Sequence, residues 1–237
     1  MKTRALLLLL ATLAFGAAPF ITPPFRGYDP ALFPVQIARP SIQPAGYAFA
    51  IWSVIYLWLV THAVTSLWKR SVNPAWDRTR LSLTVAIALG AAWLSIAPVA
   101  PIAATVTILV MAAAAITAFL RADTETDRWL LSAPIAILAG WLSAAAAVST
   151  GVVIAGYGLL SDTASAVAMI AITLTLATWI QRRKPRMPVY GLTVIWALAG
   201  ITVANAGLNP TIAILAGLGI GLMALTLLST RTGHSQN

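Results

Sequence analysis

The sequence predicts an all-α integral membrane protein, a multi-pass helical bundle of about eight transmembrane helices. Three observations carry that expectation. Only 9% of the 237 residues are charged and 59% are apolar, whereas a soluble domain carries about a quarter charged residues. The apolar residues come in blocks of about 18 to 25, long enough to cross a hydrocarbon core of about 30 Å. The basic residues, finally, alternate with those blocks in a regular way.

Apolar runs fall at about 5–22, 45–68, 81–98, 101–120, 129–150, 163–180, 188–205 and 209–229. With the N-terminus placed in the cytoplasm, the inner segments hold Lys2 and Arg4, then Lys69, Arg70, Arg78 and Arg80, then Arg121 and Arg128, then Arg182, Arg183, Lys184 and Arg186, and last Arg231. Only Arg26 and Arg39 fall on the other side. An excess of Lys and Arg in cytoplasmic loops is the topology signal of helical membrane proteins. It implies both termini in the cytoplasm. The net charge of +9 is then a topology signal, and no nucleic-acid partner is expected.

The first run, "MKTRALLLLLATLAFGAAP", has a basic start and small residues, which is also the shape of a secretory signal. Its apolar stretch continues through Pro19, Phe20 and Ile21, which favours a retained span. Residues 23–43 form a long outer loop with Pro23, Pro24, Pro30, Pro34 and Pro40. Ala97–Pro101 and Ala206–Pro210 read as tight hairpins, and "RADTETDR" (121–128) as a solvated turn. Trp68, Trp76, Trp129 and Trp179 stand beside the basic clusters and read as an interfacial belt. Gly217 and Gly221 form a GxxxG that permits close helix packing.

Few polar groups lie inside the spans. The chain has no cysteine, which excludes disulfides, Cys-ligated zinc and a thiol nucleophile. Nothing assembles a Ser/His/Asp set, a metal cluster, a phosphate-binding loop or paired carboxylates, and no catalytic activity is expected. His62, on the same helix face as Trp58, reads either as a hydrogen bond to a neighbouring helix or as a proton or ligand group.

Tryptophan is the remaining signal. Trp52, Trp93, Trp141 and Trp196 come from four helices at similar depth in the outer half of the bilayer. They either line a cavity for a flat apolar ligand or fill gaps and face lipid. Phe49, Trp52 and Tyr56 share one helix face directly below the proline loop. Trp141, Ala145 and Ser149 recur every four residues in "GWLSAAAAVSTG", whose alanines admit a close neighbour.

"RPSIQPAGYAFAIWSVIY" (39–56) resembles the loop-to-helix signature of the TspO/MBR family, the tryptophan-rich sensory proteins related to the translocator protein or peripheral benzodiazepine receptor. Arg39–Pro40 stand for its basic–Pro pair, Pro44 for its prolines, and Trp52 and Tyr56 for its aromatic pair. "APIAILAGWLSAAAAVSTGV" is similar to the family's fifth helix through Pro134, Trp141 and Ala145, and Trp93 fits the tryptophan late in the third. This likeness covers about residues 5–155. "PVYGLTVIWALAGI" is similar to a late helix of a longer bacterial branch. The chain departs from the pattern at Gly90 and Ser149, where asparagines are expected, and at Ala45, where a second proline is expected.

The resemblance implies a TspO-like five-helix core at 1–155 and a three-helix extension at 156–237. It implies a membrane sensor or carrier with no required cofactor, binding a tetrapyrrole (porphyrin- or haem-like) or sterol-like ligand in an outer cavity. Carried over residue by residue, the site comprises Trp52, Tyr56, Trp93, Trp141 and Ala145 as wall, with Phe49 on the same face as Trp52. Arg39 and Tyr47 belong near the lid, where Arg39 either faces a ligand carboxylate or is a plain loop charge. The alternatives are a small-molecule transporter and a structural or assembly subunit. Partners are then the lipid bilayer and a small hydrophobic ligand, with a homodimer or larger membrane complex left open.

Overall fold

The computed structural model describes residues 1–23, 25 and 27–232. Eight α-helices follow one another: α1 Lys2–Ile21, α2 Ile51–Trp68, α3 Pro74–Ile96, α4 Pro101–Arg121, α5 Ser132–Gly156, α6 Asp162–Arg183, α7 Val189–Asn205 and α8 Pro210–Thr232. A short 3-10 turn, Gly46–Ala50, leads into α2, and there is no strand among the described residues. Seven helical segments are long and apolar enough to cross a membrane. α7, with 17 residues, is the short one, about 26 Å at ~1.5 Å per residue. It still runs from one end of the bundle to the other, with Gly191 beside Gln181 and Asn205 bonded to Ser41.

The helices begin and end where local chemistry dictates. α3 starts at Pro74, earlier than hydropathy places it, because the Asn73 side chain accepts hydrogen bonds from Ala75 N and Trp76 N and proline opens the helix. Such a cap satisfies backbone donors that have no partner inside the helix. The first turns of α3 carry Asp77, Arg78 and Arg80, which a hydropathy window passes over. The Ser161 hydroxyl caps α6 in the same way, accepting from Ala164 N.

α5 is the central helix, buried on nearly every face. α4 and α2 pack on one side of it and α6 and α7 on the other, while α1 and α3 pack against each other beside α2 and α4. Its small residues make this approach possible. A Cβ on Gly140 would lie 2.7 Å from Tyr190 O of α7. Hydroxyls stitch the contacts, with Ser143 Oγ 3.0 Å from Tyr190 Oη and Ser165 Oγ donating to Gly151 O. The GxxxG glycines do not serve this purpose within the chain: a Cβ on Gly217 or Gly221 would meet nothing within 4 Å.

Arg39 apart, the described basic side chains gather at the end opposite the loop over 22–45, and several are tied together there. Arg80 is fully buried. Its guanidinium donates to Ser66 Oγ and Ser66 O, to Arg70 O and Ser71 O, to Met1 O and to Asp77 Oδ1. A buried cation is tolerable when its donors are met in this way. One side chain thus binds the start of α1, the end of α2 and the first turns of α3.

Two readings of this end need correction. Trp76 is not at an interface: it is 1% exposed and stacks on His62 with centroids 4.9 Å apart. Nor is 121–128 simply a solvated turn. Asp127, in the left-handed region at φ 54, accepts from Arg70 Nε at 2.6 Å, Arg70 Nη2 at 3.1 Å and Trp76 Nε1 at 3.1 Å. His62 donates through Nδ1 to Leu130 O at 2.8 Å, and Trp58 Nε1 donates to Trp129 O. Both partners lie in the non-helical segment before α5, whose carbonyls are not used by a helix. Arg26 and the tail containing His234 lie outside the described residues.

The hydrogen bonds from Arg70 hold the Asp127 carboxyl below its ordinary value. Its contribution to stability is therefore complete at neutral pH and is lost as pH falls through the carboxylate range. Asp127→Asn lowers the melting temperature at pH 7, and the difference from wild type shrinks below about pH 4. Melting curves in detergent across pH 3–8 (~0.5-unit steps) measure it.

Candidate functional site

A cavity of ≈ 260 Å³ lies inside the bundle near the loop end. The far wall is α5, presenting Trp141, Ala145 and Ser149 one turn apart. α2 and the turn before it supply Phe49, Trp52 and Tyr56. Phe15 and Pro19 of α1, Gly90 and Trp93 of α3, and Ile108 and Met111 of α4 close the sides. The roof is loop: Phe25, Tyr28, Gln43 and Pro44. Ala197 and Ile201 of α7 complete the wall.

Aromatic rings hold one another in position around this space. Trp52 stacks on Tyr56 at 5.5 Å and 22°. Trp141 receives the edges of Trp52 and Phe49 at 6.1 and 5.7 Å. Phe15 meets Trp52 at 5.7 Å and Tyr56 at 4.9 Å, both edge-on. In the roof, Phe25 lies edge-on to Trp93 at 4.8 Å and to Tyr28 at 5.4 Å. Edge-to-face contacts set ring orientation beyond what simple burial does.

Besides Gln43 in the roof, the cavity has two sets of polar groups. Tyr28 Oη lies 2.6 Å from Ser149 Oγ, which lies 2.6 Å from Thr105 Oγ1. This hydroxyl chain ties the roof to α5 and α4, and burial pushes the Tyr28 phenol up, so it stays protonated. Trp93 is also satisfied, giving its indole N–H to Ala104 O. The Trp52 and Trp141 indole N–H groups and the Tyr56 hydroxyl, by contrast, find no hydrogen-bond partner among the described residues.

Of the residues singled out from sequence, Phe49, Trp52, Tyr56, Trp93, Trp141 and Ala145 are brought together around the cavity. Arg39 and Tyr47 are not. Arg39 is exposed and off the wall. Tyr47 is 47% exposed and packs edge-on to Trp196 at 5.7 Å. Trp196, equal in depth to the other tryptophans, faces away and donates its indole N–H to Ala48 O at 2.9 Å. Within the 3-10 turn Gly46–Ala50, Tyr47 and Phe49 point in different directions, Tyr47 to Trp196 and Phe49 to Trp141. His62 lies toward the basic end, also outside the cavity.

Sequence reasoning missed Phe15, Phe25, Tyr28 and Gln43. Phe25 and Tyr28 had a usable signal, since aromatic residues among prolines in a membrane-protein loop have no reason to stay wet. Gly90 and Ser149, the two departures from the family pattern, both stand on the cavity wall. Gly90 makes room for Phe15, whose Cε2 lies 2.6 Å from where a Cβ would be. Gly90→Ala therefore drives the Phe15 ring toward Trp52. The expected result is a loss of about 1–3 kcal/mol of stability, read by thermal unfolding, with a shifted tryptophan emission.

No curated protein and no solved structure matches the chain. The family model described as TSPO-like protein matches residues 7–229. That span takes in α6, α7 and nearly all of α8 as well as the helices around the cavity. With residues 7–229 matched, the chain belongs to the TSPO-like protein family, a family of multi-pass membrane proteins.

Proposed function

We propose that this protein is a TspO-type membrane sensor or carrier that binds a flat, hydrophobic ligand, a tetrapyrrole or a sterol-like molecule, in the aromatic cavity, without a catalytic step. One observation carries the reading. The indole N–H groups of Trp52 and Trp141 and the Tyr56 hydroxyl stand on an aromatic-walled, largely apolar cavity and have no hydrogen-bond partner among the described residues. A ligand with one or two acceptor atoms can accept from these groups, each such hydrogen bond contributing about 0.5–1.5 kcal/mol. Tryptophan and tyrosine are suited to such a ligand because each joins a flat apolar plate to a polar edge.

The cavity sits just under the roughly 300–1,000 Å³ usual for small-molecule sites. A sterol-sized plate is the easier fit, and a full tetrapyrrole needs roof side chains such as Phe25 and Gln43 to move aside. Arg39 plays no part in holding the ligand. The orientation that goes with this reading has both termini in the cytoplasm of a bacterial inner membrane, which places the cavity in the outer half of the bilayer.

The test is a titration of purified protein with protoporphyrin IX and, separately, with a sterol. Binding is followed by ligand absorbance or competition, since the substitutions remove tryptophan reporters. Trp52→Ala combined with Trp141→Ala is expected to weaken binding at least about tenfold, or ~1.4 kcal/mol, while Arg39→Ala leaves it unchanged. Wild-type affinity in the double variant would overturn the site.

A further inference from the structure

The stretch that leads into the cavity, residues 41–48, is held by three helices that carry few residues of the cavity wall. Ser41 is buried, and its polar atoms bond to α6, α7 and the α7–α8 turn. Ser41 N donates to both carboxylate oxygens of Asp162 at 3.0 and 3.1 Å, and Ser41 Oγ donates to Asp162 Oδ2. Asn205 Nδ2 donates to Ser41 O at 2.8 Å. Asn209 Nδ2 donates to Ser41 Oγ at 3.1 Å and to Thr163 Oγ1 at 2.8 Å.

Farther along, Ala45 N donates to Gly200 O at 3.0 Å, and Ala48 O accepts from Trp196 Nε1. Gly200 has to be glycine for this approach, since a Cβ there would lie 2.9 Å from both Pro44 Cβ and Ala48 Cβ. Pro44 and Phe49, within this stretch and next to it, belong to the cavity wall.

The departure at Ala45 fits this arrangement. Its φ of −56 and ψ of 146 are values a proline adopts without strain. What a proline lacks is the N–H that reaches Gly200 O. The residue that breaks the paired-proline signature is therefore the one whose amide is bonded to α7.

We propose that the loop-end termini of α6, α7 and α8 form a clamp that sets the position of the 41–48 lip. Ser41, Asp162, Asn205 and Asn209 are then positioning residues for the cavity, and the C-terminal helices hold the site in shape. This rests on the cavity being the ligand site.

The experiment uses the full chain in nanodiscs. With no native cysteine, a single Gly46→Cys takes a spin label at an exposed position with nothing within 4 Å of its Cβ. Label mobility and protoporphyrin IX affinity are measured for Asp162→Ala and Ala45→Pro. Ser161→Ala is the control: it removes the cap of α6 without touching Ser41.

The expected result, confined to these two variants, is a more mobile label with binding weakened about fivefold in Ala45→Pro, the worth of one lost hydrogen bond, and at least as much in Asp162→Ala, which loses the bonds from both Ser41 N and Ser41 Oγ. An unchanged label in both, a mobile label with unchanged affinity, or equal loosening by Ser161→Ala overturns the clamp. If wild type binds no porphyrin, the ligand reading fails by itself, and label mobility alone decides whether the lip is clamped.

Discussion

The fold depends on how closely other helices can approach α5. In lipid, apolar side chains gain little by meeting one another rather than acyl chains, so helices associate through close backbone packing and hydrogen bonds. α5 provides both. Gly140 lets α7 come to van der Waals contact, Gly151 takes Ile42 of the lip, and Gly156 takes Phe33. Ser143 and Ser149 add hydroxyl bonds to Tyr190 and Tyr28. The cavity is the complement of this packing. Where α5 presents Ala144 and Ala145 beside Trp141, the facing helices answer with rings that brace each other and leave the space between them open.

The second constraint is backbone chemistry. Non-helical chain inside a membrane protein must find hydrogen-bond partners within the protein. The 41–48 lip meets this demand with the ends of the C-terminal helices, which is why Asn205 and Asn209, polar residues around an otherwise apolar hairpin, stand where they do. At the basic end the same demand is met by a charge: Arg80 satisfies the carbonyls of Met1, Ser66, Arg70 and Ser71. The bundle is thus tied at both ends by polar groups and packed between them by small residues and rings.

Much of this was legible in the sequence because it is local. The blocks of apolar residues gave the helices, and the spacing of Phe49, Trp52 and Tyr56 and of Trp141, Ala145 and Ser149 gave two faces that meet across the cavity. What was not legible is long-range. Depth placed Trp196 level with the others, but depth does not say which way a ring turns, and its indole is bonded to Ala48 O. Trp76 looked interfacial because charges flank it, yet those charges fold over it as part of the Arg70–Asp127 contact. Phe25 and Tyr28 sit in a loop without periodicity, so only the tertiary fold brings them over the cavity. Arg39 and Tyr47 were placed by likeness to a signature, and likeness does not say which way a loop side chain turns: Arg39 is exposed and Tyr47 packs on Trp196.

The two sets of polar groups in the cavity divide the work of building it. The Tyr28–Ser149–Thr105 chain spends its hydroxyls on one another and holds the roof to α5 and α4. Trp52, Trp141 and Tyr56 are positioned by ring contacts instead, so none of them needs its polar edge to stay in place. Those edges make no hydrogen bond to the described residues. The ring contacts thus fix the shape of the cavity from within the protein, since edge-to-face pairs set ring orientation. Trp93, by contrast, is held by its polar edge as well, through Ala104 O, so the rings around the cavity are fixed by two different means.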